Sequence, residues 1–247
     1  MPSAVILAGG LGTRLRSVVS DTPKPMAPIS GRPFLEYQLD YWISQGINRF
    51  VLSVGYRHEV ITRHFGSRYK GIQLEYTVEE QPLGTGGGLL MAAEKLDRST
   101  PFLLLNGDTY FEADWMVLDA FAMEHGADWC FSLFRTSEKG RYMGIEMSAQ
   151  GRITLLKSGV EQGPRLANGG VYWVHPRALT GAGRLGAKLS LEDDLFPQAL
   201  AAGHRLLGIE FRGTFIDIGV PDDYHRASSL LVGRDGRTAQ STERTRR

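Results

Sequence analysis

The sequence has little of three things: cysteine, excess charge and long apolar runs. Its single cysteine, Cys130, excludes a disulfide framework or a Cys-x-x-Cys zinc site within one chain. The formal net charge is only +1, which argues against a broad nucleic-acid-binding surface. No apolar run approaches the roughly 18 residues of a membrane span, and the N-terminal run lacks a basic leader. We therefore expect a cytoplasmic protein that binds neither nucleic acid nor membranes.

The C-terminal stretch differs from the rest in composition. Residues 234–247 contain five arginines and no apolar residue except Ala239, which predicts a disordered tail. Residues 1–233 are long enough for one large α/β domain, and we predict a single domain over this range.

Short apolar runs alternate with helical patterns in the first half. The predicted strands are "AVILAG", "RFVLSVG", "QLEYTVE" and "PFLLLNGD", and the predicted helices are "PFLEYQLDYWISQG", "HEVITRHFGSRYKG" and "GTGGGLLMAAEKL". Such alternation is typical of a parallel sheet covered by helices on both faces. Ligands of these sheets lie beyond the carboxyl ends of the strands, so "GGLGTR", "VGYR" and "NGDTY" should share one edge.

The second half is richer in β-structure. Turn signals at Gln150-Gly151 and Asn168-Gly169 separate strand-like runs, which predicts a small antiparallel addition to a mixed, mainly parallel sheet. A helix capped by Ser190 and a closing helix that begins near Asp222 and Asp223 follow, and the two aspartates have the positions of helix caps.

The segment "AVILAGGLGTRLRSVVSDTPKPM" ends a strand with glycines whose free N–H groups suit an anion. It does not match the dinucleotide fingerprint, because Leu15 stands where the third glycine belongs, nor the P-loop, because Thr13 and Arg14 follow Gly12. A tight turn that only allows close packing is the simpler alternative. Arg14 and the proline-flanked Lys24 favour phosphate binding, although a lysine can also be merely solvated.

This motif, G-G-x-G-T-R-L followed by T-P-K-P, resembles the signature of the sugar-1-phosphate nucleotidylyltransferases. The likeness continues through "QPLGTGGGL", "NGD", "NGGVY" and "FIDIGVPDDY", and covers about residues 3–232. The resemblance implies a Rossmann-like, three-layer α/β sandwich. The chain ends too early for the C-terminal left-handed β-helix that some members carry.

The resemblance also implies a reaction between a nucleoside triphosphate and a sugar 1-phosphate. Asp108 ends one apolar strand and Asp217 interrupts another, and two carboxylates at one edge suit Mg²⁺. Family members bind their metal with aspartates at these positions. Arg14, Lys24, Asp108 and Asp217 are thus the implied catalytic residues. The implied nucleotide-binding residues are Leu7, Ala8, Gly9, Gly10, Gly12, Thr13, Arg14, Lys24, Gln81, Gly84, Gly86, Gly107 and Asp108.

The base and sugar contacts are less well defined by the pattern. Gln81 offers a donor and an acceptor to a base edge, and Glu79 or Glu80 could accept hydrogen bonds from guanine, although solvated glutamates are commoner. Asp193 should complete a capping box with Ser190, which leaves Glu192 as the better sugar ligand. The implied sugar-phosphate residues are Tyr142, Gly144, Lys157, Asn168, Gly169 and Glu192.

Two departures from the family pattern affect this set. Leu156-Lys157-Ser158 replaces the common Glu-Lys-Pro, which puts one sugar hydroxyl contact in doubt, and Met143 separates Tyr142 from Gly144. Asn168-Gly169 could equally be a plain hairpin turn.

In its short length and its segments "PLGTGG" and "NGGVY", the chain most resembles the guanylyltransferases for manno-configured sugars. These features imply GTP and D-glycero-D-manno-heptose 1-phosphate as substrates, for surface polysaccharide synthesis. Mannose or glucose 1-phosphate with another base is the nearer alternative. A glycosyltransferase of similar fold would normally show an Asp-x-Asp metal motif, but "NGDTYFE" has Tyr110 at the position of the second aspartate. A non-catalytic nucleotide-sugar-binding regulator would be expected to have lost Arg14, Lys24 or the aspartates, and this sequence keeps them all. Exposed β-pieces in the second half would suit a homodimer without establishing one.

Overall fold

The computed structural model describes residues 2–10, 12, 15, 22–138, 141–157 and 164–232. Thr13, Arg14 and the predicted tail at 234–247 lie outside these ranges.

Strands and helices alternate through the first half of the described chain, and strands dominate much of the second. The strands are β1 (Ser3–Ala8), β2 (Pro28–Ile29), β3 (Arg32–Pro33), β4 (Arg49–Val54), β5 (Arg68–Tyr69), β6 (Ile72–Val78), β7 (Phe102–Asn106), β8 (Thr109–Phe111), β9 (Trp129–Thr136), β10 (Gly144–Met147), β11 (Ile153–Lys157), β12 (Arg165–Val174), β13 (Leu206–Glu210) and β14 (Phe215–Asp217). The helices are α1 (Phe34–Ser44), α2 (His58–Phe65), α3 (Gly84–Ala93), α4 (Trp115–Glu124), α5 (Phe196–Ala201) and α6 (Pro221–Leu231), with 3-10 turns at Lys24–Met26 and Pro176–Leu179 and a π-helical turn at Leu191–Leu195.

Ten strands of the described chain form one mixed sheet. The order is β11-β10-β12-β7-β1-β4-β6-β5, with β9 paired to β12 and β13 paired to β9. The β1, β4, β6 and β7 pairings are parallel, whereas β12 runs antiparallel to β7 and β9. The predicted mixed, mainly parallel sheet with added antiparallel strands is confirmed.

Side chains of the central strands alternate between two cores. In β1, Ala4 and Ile6 face the core shared with α1, α2 and α4, and Val5 faces the core shared with α3 and α5. In β7, Leu103 and Leu104 divide in the same way. Period-two alternation with both faces apolar explains why these strands read as continuous apolar runs, and it produces the three-layer arrangement.

Two predicted elements differ from those observed. The helix predicted over 58–71 ends at Phe65, because Gly66 adopts φ +60° and its N–H closes the last turn on the Thr62 carbonyl. The remaining residues form β5 and the turn into β6. Asn168-Gly169 lies inside β12 at a register shift opposite β9, so the hairpin-turn alternative is wrong.

The turn at Gln150-Gly151 is confirmed between β10 and β11. A smaller third core lies beside the main sheet, where α6 packs on β14 through Ala227, Leu231 and Ile216. No helix in the described ranges has the length and apolar character to cross a membrane.

The central sheet generates a stability prediction. Leu104 is completely buried between β1 and β12, so Leu104→Ala should lower the free energy of unfolding by about 2–5 kcal/mol. Leu155 on β11 is 42% exposed, and Leu155→Ala should cost less than about 1 kcal/mol. Urea unfolding followed by circular dichroism measures both, and equal losses would contradict the described core.

Candidate functional site

A cavity of about 360 Å³ opens at the carboxyl edge of the parallel strands. It forms there because β7, β1 and β4 are adjacent and parallel, so they end together at Asn106, Ala8 and Val54. The cavity is lined by Leu7, Ala8, Gly9, Gly10, Lys24, Pro25, Glu79, Pro82, Gly84, Thr85, Asn106, Gly107, Asp108 and Glu192. Its size and position suit a small-molecule ligand.

Gly107 shows why this edge needs glycine. Its N–H donates to the Leu7 carbonyl at 2.9 Å, and a Cβ at this position would collide with that same oxygen and come within 3.1 Å of the Ala8 Cα. The chain can therefore turn from β7 toward Asp108 only where a side chain is missing.

Lys24, Asp108 and Asp217 meet beside the cavity. The Lys24 ammonium forms an ion pair with Asp108 Oδ2. Strand β14 pairs with β8 so that Asp217 lies opposite Thr109, and the Ile218 N–H donates to the Asp108 carbonyl at 3.0 Å. This pairing brings together two aspartates that are more than a hundred residues apart in sequence.

The two carboxylates affect each other electrostatically. Burial raises the pKa of Asp217, and the negative charge of Asp108 raises it further, while Lys24 and the Gly219 N–H oppose the rise. That N–H donates to Asp217 Oδ1 at 2.6 Å. Arg141 also opposes the rise, since its Nη2 lies 3.8 Å from Asp217 Oδ2. Two carboxylates held this close suit a divalent cation that is shared with substrate phosphates.

The segment after β1, whose described glycines are Gly9, Gly10 and Gly12, is called here the glycine loop, and it lies close to Lys24. A Cβ on Gly12, which adopts φ +59°, would lie 3.3 Å from the Lys24 Cβ. The flanking prolines hold Lys24 at the start of a 3-10 turn rather than in a helix or the sheet. Within the described residues, Gly12 and Lys24 of the two motif segments therefore lie side by side.

Glu79 joins the glycine loop to the predicted base-binding loop. Its carboxylate accepts hydrogen bonds from Ser53 Oγ at 2.9 Å and from the Leu83 N–H at 3.0 Å. It also lies against Gly9, where a Cβ would collide with Glu79 Oε1. Gln81 and Glu80 are exposed and do not line the cavity. Glu79 thus supports the loop, a role that the sequence did not suggest, since it offered Glu79 only as a base ligand or a solvated side chain.

The start of α3 is bound to a second segment of the chain. The Gly86 N–H donates to the Leu189 carbonyl at 2.8 Å, and the Leu189 N–H donates to the Leu83 carbonyl at 2.8 Å. Gly84 adopts φ +73° and lies so close to Leu189 that a Cβ would be 2.5 Å from its carbonyl oxygen. The Gly86 amide is therefore occupied, whereas Gly84 faces the cavity.

Glu192 reaches the cavity from this second segment. Its Oε2 accepts from Thr85 Oγ1 at 3.2 Å and from Ser190 Oγ at 3.3 Å, and burial raises the pKa of its carboxyl group. The Ser190 cap is confirmed, but Asp194 rather than Asp193 accepts from the Ser190 N–H and completes the box. Glu192 is the one predicted sugar ligand among the described lining residues.

Of the other predicted sugar-phosphate residues, Gly144, Lys157, Asn168 and Gly169 lie on antiparallel strands, and Tyr142 lies just before β10. Gly144 in β10 is in register with Lys157 in β11, and on its other side with Ala167, the residue before Asn168. Asn168 Nδ2 donates to Tyr172 Oη at 2.7 Å.

The charges of Glu192 and Asp108 act on Tyr172. Burial is the main cause that raises the pKa of Tyr172, and the charges of Glu192 and Asp108 add to the rise, while the hydrogen bond from Asn168 opposes it. Gly169 packs against the ring of Phe111. Tyr142 packs instead against Phe134 and Phe215, with ring centres 5.1 and 5.4 Å away, so its ring lies in an aromatic cluster.

Arg141 and Asp223 were not predicted as site residues. Asp223 was interpreted as a helix cap, but it makes no cap hydrogen bond; it is buried and forms an ion pair with Arg141. Arg141 Nη2 also donates to the Asp217 carbonyl at 3.2 Å. The position of Arg141 directly before Tyr142 was the one available signal.

Comparisons with known proteins agree with this geometry. Residues 3–233 match the family model described as "Nucleotidyl transferase". D-glycero-alpha-D-manno-heptose 1-phosphate guanylyltransferase from Aneurinibacillus thermoaerophilus is 40% identical over 228 residues, 92% of this chain and 97% of the relative. The protein of the same name from Campylobacter jejuni is 36% identical over 222 residues, 90% of this chain and 96% of the relative.

A solved structure is similar over nearly all of its length. HddC from Yersinia pseudotuberculosis, complexed with GMP-PN, superimposes with a TM-score of 0.81 at 32% identity and covers 93% of this chain and 99% of its own. Sequence and fold thus point to the same group of proteins.

The backbone contact at Gly107 generates a prediction about stability. Gly107→Ala should lower the free energy of unfolding by about 1–3 kcal/mol, because the added Cβ meets backbone atoms that cannot move aside. Gly10→Ala, at a neighbouring glycine with no atom within 4 Å of the added Cβ, should change it by less than about 1 kcal/mol. Urea titration measures the free energy of unfolding of both variants, and equal values for the two would contradict the close approach at Gly107.

Proposed function

Since the chain belongs to the nucleotidyl transferase family, we propose that it transfers GMP from GTP to D-glycero-alpha-D-manno-heptose 1-phosphate. The products are the GDP-heptose and pyrophosphate. Two relatives named for this activity match almost the whole chain, and GMP-PN in HddC supports a guanine nucleotide. The enzyme would work in the cytoplasm and supply surface polysaccharide synthesis.

The reaction requires charge control more than covalent catalysis. A phosphate oxygen of the sugar 1-phosphate attacks the α-phosphorus of GTP, and the bond from that phosphorus to the bridging oxygen of the β-phosphate breaks. Pyrophosphate leaves with the electron pair. The attacking phosphate carries about −1.5 to −2 charges at pH 7, so no side chain has to deprotonate it. The protein must bring two polyanions together in line.

The observation that carries the proposal is the cluster of Lys24, Asp108 and Asp217 beside the glycine loop. Lys24 faces the cavity with its charge balanced by Asp108, and a phosphate can replace that partner. We assign Lys24 to the phosphates near the reacting centre. Arg14 and Thr13, with the backbone of the loop, would hold the leaving phosphates.

Asp108 and Asp217 fit a Mg²⁺ ion. Mg²⁺ in proteins is usually held by one or two carboxylates together with substrate phosphates. Within the described residues there is no cluster of three or more metal-ligating side chains, so a site that relies on protein ligands alone does not fit there. Burial first and the charge of Asp108 second raise the pKa of Asp217, and a cation held by the two carboxylates would offset both effects. When bound, the ion would neutralise charge on the phosphates.

The base and the sugar would occupy opposite sides of the α3 start. Gly84 lines the cavity, where a base would approach its backbone. Gln81, on the same segment but outside the described lining, would present donor and acceptor groups to the base edge. On the other side, Glu192 would accept a hydrogen bond from a sugar hydroxyl. Lys157, with Gly144 and Asn168 on the neighbouring strands, would hold the sugar phosphate.

Substrate choice can be measured directly as pyrophosphate release. GTP with the manno-heptose 1-phosphate should give the highest kcat/KM among GTP, ATP, UTP, CTP and dTTP, each paired with mannose, glucose and manno-heptose 1-phosphates. One mismatched hydroxyl or base edge at a hydrogen-bonding site should cost at least about tenfold. Turnover with UTP alone would contradict the guanylyl assignment, and no turnover with any pair would contradict the enzyme assignment.

The role of Asp108 can be tested by an isosteric change. Asp108→Asn should lower kcat at least about a hundredfold in the presence of Mg²⁺, because a metal ligand contributes several kcal/mol to the transition state. Asp222→Asn alters an exposed aspartate in the first turn of α6 and should leave kcat within about twofold. Retention of most activity by Asp108→Asn would remove Asp108 from the metal site.

A further inference from the structure

We propose that Arg141 is a positioning residue, which fixes Asp217 in the active site by connecting it to the buried Asp223 of helix α6. The inference rests on the proposed function, because it treats Asp217 as part of the catalytic cluster.

Arg141 contacts both aspartates with one guanidinium group. Its Nη2 donates to the Asp217 carbonyl at 3.2 Å, lies 3.8 Å from Asp217 Oδ2 and forms an ion pair with Asp223 Oδ2. The guanidinium also lies over the Tyr142 ring, 4.8 Å from its centre, and Nη1 pairs with Glu138 at 3.1 Å. A planar group held on several sides presents its donors in a constant direction.

Asp223 supplies the anchor. Its side chain is 5% exposed, and a charge buried to this degree is stable only with close partners. Its Oδ1 pairs with Arg226 at 3.0 Å, one turn along the same helix, and its Oδ2 pairs with Arg141. Arg226 is 60% exposed and Arg141 is 20% exposed, so Arg141 makes the less hydrated of the two pairs.

Asp217 needs such an anchor because its strand is short. Strand β14 has three residues and pairs in the described chain with β8, which also has three. The Gly219 N–H donates to Asp217 Oδ1 within the same turn, and the Ile218 N–H donates to the Asp108 carbonyl. Arg141 provides a contact from outside the turn and ties the backbone of Asp217 to α6, which the third core holds through Ala227 and Leu231.

The arrangement also explains a buried charge that the catalytic cluster does not use. Asp223 lies outside the described lining of the cavity, and it is among the few charged residues of the described chain that are buried. Its pairing with Arg141 accounts for that burial, because one cation then serves the anchor and the catalytic carboxylate together.

Two variants of the same ion-pair set separate positioning from general stability. Arg141→Met removes a partner of Asp223 together with the contact to Asp217. Arg226→Met removes the other partner of Asp223 and leaves Asp217 untouched, since no described contact joins Arg226 to Asp217. We expect Arg141→Met to lower kcat about a hundredfold with the KM for GTP within about threefold, as misplacement of a catalytic group by about 1 Å does. Arg226→Met should keep kcat within about twofold.

Amide hydrogen exchange gives a readout independent of turnover. Peptides covering residues 214–219 should exchange faster in Arg141→Met than in the wild type, and at the wild-type rate in Arg226→Met. Arg141→Lys keeps the positive charge but loses the planar guanidinium with its several N–H donors, so its kcat should lie between those of the wild type and Arg141→Met.

The outcomes are separable. Equal kcat and equal exchange in Arg141→Met and Arg226→Met would overturn the positioning role. If Arg141→Met does not fold, Arg141→Lys decides: lower kcat with faster exchange at 214–219 supports the role, and wild-type values of both overturn it. If the wild type releases no pyrophosphate with any substrate pair, the proposed function fails, and the exchange comparison still decides whether Arg141 holds Asp217.

Discussion

The parallel pairing of β1 with both β4 and β7 is the constraint on which the site depends. It makes three strands end at one edge, and the glycine loop, Gly55 and the Gly107-Asp108 turn follow from those ends. The same pairing brings backbones so close that glycine is required, as at Gly107 against Leu7. Gly107 is therefore a requirement of the sheet itself, whereas Gly9 and Gly12 lie against the side chains of Glu79 and Lys24.

Much of the central sheet could be predicted because the patterns that determine it are local in the sequence. The apolar runs identified β1, β4, β6 and β7, and the parallel order follows from strand–helix alternation. The family resemblance implied one site for Lys24 and Asp108, and the structure brings these two side chains into contact. The end of α2 was misplaced because two glycines, Gly66 and Gly71, were available as stops, and the sequence pattern does not distinguish a helix cap from a β-turn.

Other features depend on contacts between distant segments, which no local pattern encodes. Asp223 has the position of a helix cap and is instead a buried ion-pair partner, because Arg141 arrives from 82 positions earlier in the chain. Asn168-Gly169 has the form of a turn and lies in β12, because pairing with β7 and β9 overrides the turn preference. At such positions tertiary contacts override the local propensity and decide the structure.

The segment 189–192 adds a further physical consequence. Leu189 is hydrogen-bonded to Leu83 and Gly86 at the start of α3, and Glu192 is hydrogen-bonded to Thr85 in the same segment. A displacement of residues 83–86 must therefore either break these hydrogen bonds or carry Glu192 with it. Because Glu79 accepts hydrogen bonds from Leu83 and from Ser53 of β4, Glu192 is connected to the central sheet through three successive hydrogen bonds. Under the proposed function, a shift of the segment that starts α3 would therefore also displace a sugar contact.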